Sequence, residues 1–304
     1  MRILVDSQQI DVTLENERTL ADVVAAVNDW VVANGSAVTT LTVDGEQHAL
    51  DQPPDRGQRA LDSIAEIRVE TQPQWQLILE HLELVLQFLR AWDTALQHND
   101  HHSIQSLVAQ QEDLARHLQE HIELIFPELP ESTLQSVFEV TGSAEQMISP
   151  PDGVAALRER LGALIALIEQ RVSEVRYPAR EAALTAGLIS GMLNEVREVS
   201  VLLQTGKDQE AMANVVRFSE LVEKLLRILP HLARRDQRFH NRLAQSGDLG
   251  TITAALNNTL LELVQAFDTQ DSVLIGDLLE YEIAPRVEEL ISVIPSAEGP
   301  QSQE

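Results

Sequence analysis

Between residues 70 and 74 the hydrophobic period of this 304-residue chain changes from two to 3.6, and it does not change back. Period two is the mark of a half-buried strand, and 3.6 that of an amphipathic helix. The switch falls at Gln72-Pro73, so the chain reads as α+β. A small N-terminal domain over residues 1–72 is followed by a mainly α domain over 73–304. A length of 304 residues is in keeping with about two domains at roughly 150 residues each.

In the first part, Arg2–Val5 and Gln9–Leu14 are short apolar or alternating runs separated by Asp6-Ser7-Gln8, a hairpin-like arrangement. Thr19 with Asp22 three residues on predicts a capping box. Leu20, Val23, Val24, Val27, Trp30 and Val31 then form one helix face, which Asn34-Gly35 stops. Val38–Val43 alternates up to Asp44-Gly45, a hairpin dipeptide. Gln52-Pro53-Pro54-Asp55 breaks the chain before a last strand over Ile64–Glu70. Strand, strand, helix, strand, turn, strand is the order of a β-grasp (ubiquitin-like) fold.

From Gln74 the apolar stripes predict helices near 74–97, 100–126, 152–176, 179–204, 208–229, 249–267 and 272–293. Asp100, Asp208 and Asp271 each stand where one helix gives way to the next and can cap the new one. Each new helix then runs to a proline, at Phe126-Pro127, Leu229-Pro230 and Ile294-Pro295. The expected architecture is a set of antiparallel helical hairpins. Pro127–Asp152 reads as a connection with one short helix, and Ala297–Glu304 as a polar tail.

Composition narrows the chemistry. There are 48 acidic against 22 basic residues, a net charge of −26. Such a surface repels nucleic-acid phosphates and anionic lipid, so neither is expected as a partner. Only Lys207 and Lys224 are lysine among the basic residues, a bias that either folding in concentrated salt or the base composition of the gene would produce. Without cysteine there is no thiol nucleophile, thiolate metal site or disulfide. The polar turn after Met1–Asp6 and the lack of a long apolar run predict a cytoplasmic protein.

Two patterns carry candidate sites. His117-Leu118-Gln119-Glu120-His121 fits H-x-x-E-H, in which two histidines one turn apart hold zinc and the glutamate acts as base. Leu114, Leu118, Ile122 and Ile125 make the apolar stripe of that helix, leaving His117 and His121 at its margin, and no motif nominates a third ligand. The second pattern is Arg227, Arg234, Arg235, Arg238 and Arg242 against Asp236 alone. This run reads either as a dock for an acidic protein surface or a phosphate group, or as internal neutralisation of neighbouring acidic helices.

Other templates fail. Gly206-Lys207 lacks the upstream glycine and the Ser or Thr of a phosphate loop. No G-x-S-x-G elbow occurs, and no histidine over 81–121 has the Glu-x-x-His spacing of a di-iron bundle. Gly187 and Gly191 predict a close helix crossing, and Tyr281 a buried ring with its hydroxyl on a neighbouring helix.

Leu203-Gln204-Thr205-Gly206-Lys207-Asp208 with Glu210-Ala211-Met212, Gly276–Glu282, the opening strand–turn–strand and Leu61–Ile64 together resemble a family of uncharacterised bacterial proteins. That resemblance implies a ubiquitin-like N-terminal region and a long helical C-terminal region, and it brings no activity. Residues 1–70 are also similar to ubiquitin-like sulfur carriers in order of elements. Those carriers end in a free Gly-Gly, whereas here Glu70-Thr71-Gln72-Pro73 runs into a helix, so sulfur transfer is not expected.

The expectation is a non-enzymatic cytoplasmic protein-interaction or scaffold protein with no cofactor and a protein partner, self-association being open. One alternative is a metal-dependent hydrolase on His117, Glu120 and His121. Another is a chaperone or assembly factor for a filament subunit, taking an amphipathic segment between helices.

Overall fold

A computed structural model describes residues 1–10, 17–48, 61–120, 131–142, 153–246, 249–269 and 271–295. The chain is α+β, a five-stranded mixed sheet followed by helices. It divides into two compact units, Met1–Glu169 and Gln170–Glu304.

The first unit opens with β1 (Arg2–Val5) and β2 (Gln8–Gln9), then α1 (Leu20–Ala33), β3 (Ser36–Val43), β4 (Glu46–His48) and β5 (Glu66–Pro73). The sheet order is β2-β1-β5-β3-β4, with β1 parallel to β5 and the other pairs antiparallel. Both hairpins turn through two residues of positive φ, Asp6-Ser7 and Asp44-Gly45, as primed turns that match strand twist require. The turn aspartates also pin β5. Asp6 accepts from the Thr71 amide and hydroxyl, and Asp44 from the amides of Ala65 and Glu66. Thr19 and Asp22 close the expected capping box, and the Val23, Val27 and Val31 stripe packs on Ile3, Leu41, Ile67 and Val69. The second strand is described only to Gln9 and Ile10, and the Gln52–Asp55 break lies outside the described residues.

The helices of this unit are α2 (Gln74–Gln97), α3 (His101–Glu120), α4 (Glu131–Gly142) and most of α5 (Gly153–Arg176). Asp100 caps α3 by accepting from the His102 and Ser103 amides. Trp92 is fully buried on the α2 stripe, edge-on to Phe88. Helix α5 is tied to α2 by Arg158–Asp93 and Arg90–Glu169 pairs.

The second unit comprises the end of α5, then α6 (Pro178–Arg197), α7 (Val199–Gln204), α8 (Asp208–Arg235), α9 (Gln237–Ser246), α10 (Leu249–Asp268), α11 (Ser272–Asp277), a π-helical turn (Leu278–Ile283) and α12 (Ala284–Ser292). Its core gathers Ile189, Phe218, Leu225, Phe239, Leu256, Leu279 and their neighbours. No described helix is long and apolar enough to cross a membrane.

Several local expectations are corrected here. The helix expected over 208–229 continues through Pro230 to Arg235. Proline forfeits one backbone hydrogen bond, but Ile228, Leu229, His231 and Leu232 are all buried, and their packing carries the helix past it. The arginine segment beyond is itself helical, because Asp236 caps α9 by accepting from the Arg238 and Phe239 amides. Asp208 is not a cap; the chain enters α8 at Lys207 without a side-chain bond. The 179–204 segment is two helices meeting at Glu198, and the 272–293 segment contains the π-helical turn. Tyr281 sits on that wide turn and points outward, 65% exposed. Among the described residues, Gly187 and Gly191 make no close crossing: a Cβ at either would meet nothing within 4 Å. The close approach is at Gly276 of α11, where a Cβ would stand 2.6 Å from Cβ of Ser200 on α7.

Candidate functional site

The five-arginine segment splits into an inner and an outer part. Arg227 turns inward from α8 onto Glu174 of α5, whose side chain is wholly buried. Nε of Arg227 donates to Oε2 at 2.8 Å and Nη2 to Oε1 at 3.2 Å. Gln170 and Arg171 donate to the same carboxylate. A buried carboxylate is tolerable only when donors of this kind replace its water.

On the next helix, Glu181 near the start of α6 accepts from Ser173, Arg180 and Lys224. Burial acts to raise its pKa, but the hydrogen bonds from Ser173, Arg180 and Lys224 outweigh it and the carboxyl is held below its ordinary value. Arg235 lies deeper than its sequence neighbours, with Nη1 donating to the Arg176 carbonyl, and burial lowers its pKa.

The outer part is Arg234 at the end of α8 with Arg238 and Arg242 on α9. All three are exposed, and none forms an ion pair with a described residue. Arg238 and Arg242 are one turn apart and share a face. On another side of α9, Leu243 lines a largely apolar cavity of about 230 Å³ with Ile252, Ala255, Leu290 and Val293, where Thr251, Arg286 and Glu289 also stand. Helix α9 thus carries exposed positive charge on one side and lines a space for one apolar side chain on another.

The histidine motif is placed differently. The His117 ring stacks on that of His81 from α2, with centroids 5.0 Å apart and planes 10° from parallel. His121 and the side chain of Glu120 lie outside the described residues. Among the described residues, no three His, Asp or Glu side chains converge as a metal site requires. His98 is turned back on its own helix, with Nδ1 against the Thr94 carbonyl.

Glu174, Glu181, Lys224 and His81 were not singled out from the sequence. Glu174 stands about 100° around its helix from the buried Ile168, Val172 and Val175 stripe, so no local pattern marks it as buried. An acid there needs an internal cation, and Arg227 is that cation.

Comparison with known proteins gives two partial matches. Residues 1–73 match the model of the TP0873 N-terminal domain, and residues 185–293 match the model of a domain of unknown function, DUF8042. No curated protein and no solved structure matches the chain. The first match stops at the residue where β5 ends, and the second begins within α6 and closes just after α12.

Proposed function

We propose that the chain is a non-enzymatic protein-interaction protein of the cytoplasm, and that Arg234, Arg238 and Arg242 receive an acidic segment of its partner. One observation carries this reading: in a chain of charge −26, three neighbouring arginines stand exposed without an ion pair to a described residue. Internal neutralisation accounts for Arg227 but not for these three. The cavity beside Leu243 would seat an apolar anchor of the same segment, a pairing common in peptide recognition.

The N-terminal 72 residues are read, within the same proposal, as a β-grasp-like, ubiquitin-like docking domain, and residues 73–304 as a domain of antiparallel helical hairpins. Support comes from the sheet order, with its central parallel β1–β5 pair, and from α1 lying over β3.

Titrating the full chain with a fluorescent glutamate-rich peptide that carries one leucine tests the proposal. Binding is expected at low salt and is expected to weaken as KCl rises. It should fall at least tenfold in Arg238→Glu/Arg242→Glu, with the melting temperature of the protein unchanged. No binding at 10 mM salt, or binding indifferent to that double substitution, rejects the reading.

A further inference from the structure

Helix α6 exposes an apolar stripe that no described residue covers. Leu184 is 55% and Leu188 53% exposed, and Gly187 and Gly191 lie open beside them. At 100° per residue, Arg180, Leu184, Gly187, Leu188, Gly191 and Glu195 fall within an arc of about 100°, one face of the helix. Large residues alternate with glycines along it, and a cation stands at one end and an anion at the other.

We propose that this face binds a second copy of the chain, α6 against α6, antiparallel about a two-fold axis passing between Gly187 and Leu188. The residues dictate that occupant. In this register Leu184 of one copy meets Gly191 of the other, and Leu188 meets Gly187, so each large side chain falls on a position without a Cβ. The same register sets Arg180 opposite Glu195, twice over by symmetry. Glu195 is exposed and has no ion pair to a described residue, and Arg180 keeps 58% of its side chain open while it donates to Glu181 and Ser173 and lies over the Tyr177 ring. Tyr177, 51% exposed, then lies opposite the exposed Glu198, to which its hydroxyl can donate. A two-fold interface uses one patch twice and so demands self-complementarity in shape and charge. A parallel pairing would put leucine on leucine and arginine on arginine. The glycines permit the backbones to approach closely, which gives the Gly187-x-x-x-Gly191 spacing a role that it lacks among the described residues.

One helix pair buries less than the roughly 1,600 Å² of a standard interface, so the dimer is weak and is to be sought at about 100 μM and above. Sedimentation equilibrium of the full chain near 0.15 M KCl is expected to show the mass rising from 33.8 kDa toward twice that value. Leu188→Asp, at an exposed position, should melt like the parent yet raise the dissociation constant more than tenfold. Arg180→Glu and Glu195→Arg should each weaken association, and the two together should restore it.

The register has its own readout, because the chain has no cysteine. Leu188→Cys lies at the axis and should give a disulfide-linked dimer under mild oxidation. Tyr177→Cys should not, since 21 helical residues at 1.5 Å would separate it from its counterpart by about 31 Å. A chain that stays monomeric at every concentration overturns the proposal. So does a dimer indifferent to Leu188→Asp, or equal cross-linking through Tyr177→Cys.

Discussion

Arg227 meets Glu174 side-on, two nitrogens to two oxygens, across a carboxylate that has no solvent-accessible side-chain surface. Removing one partner of such a pair strands the other charge, which costs about 3–5 kcal/mol. Arg227→Met is expected near the lower end, about 3 kcal/mol, because Gln170 and Arg171 still donate to Glu174. The double variant Glu174→Leu/Arg227→Met should cost clearly less than the two single changes added together. Urea unfolding of the four proteins measures this. A cost near zero for Arg227→Met would return Arg227 to the partner-binding group.

The neighbouring Glu181 sets a pH dependence. Its folded pKa lies below the ordinary 4.5, because the bonds from Ser173, Arg180 and Lys224 overcome burial. A depressed carboxyl pKa contributes stability that is fully present above the unfolded value and is lost as pH falls through the folded one. The melting temperature should therefore drop as pH is taken below about 4.5, and Glu181→Gln should drop less steeply over the same range. Parallel melting curves down to pH 3 would remove Glu181 from this role.

What the sequence makes legible here is whatever one stretch of chain decides for itself. The capping box of Thr19 and Asp22, the Asp44-Gly45 turn and the buried stripe of α2 are local patterns, and each has its expected form. The division of the arginines into inner and outer sets is not local. Arg227 and Arg234 differ only in which of them faces Glu174, and that depends on how α8 lies against α5. Pro230 misleads for the same reason, since tertiary burial on both sides outweighs one lost hydrogen bond. Gly187-x-x-x-Gly191 looks like a crossing motif and Gly276 does not, yet the intrachain crossing is at Gly276.

Gly276→Ala tests that crossing. Its new methyl would stand 2.6 Å from Cβ of Ser200, too close without a shift of α7 or α11. Overpacking of this kind costs about 1–3 kcal/mol. Ser200→Gly added to Gly276→Ala removes the opposing atom and should recover part of the loss. Gly187→Ala, with nothing nearby, is expected to leave the melting temperature of the monomer unchanged or slightly raised. Thermal melts of the four proteins decide it, and a harmless Gly276→Ala would refute the close approach.

Trp92 is wholly buried and its indole N–H has no partner among the described residues. Trp92→Ala should cost about 3–5 kcal/mol, through lost burial and the cavity left behind. A cost under about 1 kcal/mol by urea unfolding would mean that this face of α2 is open to solvent for part of the time.

Salt dependence follows from the overall charge. A chain of −26 repels itself when folded, because compaction brings exposed carboxylates together. Raising KCl shortens the Debye length from about 30 Å at 0.01 M to about 3 Å at 1 M, which removes most of that repulsion. The attractive pairs respond less. Arg227–Glu174 is shielded from salt by burial, and an open pair such as Lys207–Glu210, 57% exposed on both sides, contributes little at any ionic strength. The melting temperature of the full chain is therefore expected to rise steadily from low salt to 1 M KCl. DNA should show no gel shift at any salt, since three exposed arginines cannot offset the acidic surface around them. A melting temperature that falls with KCl would reverse the balance: attraction between the arginine segment and acidic helices would then outweigh repulsion among the remaining acids.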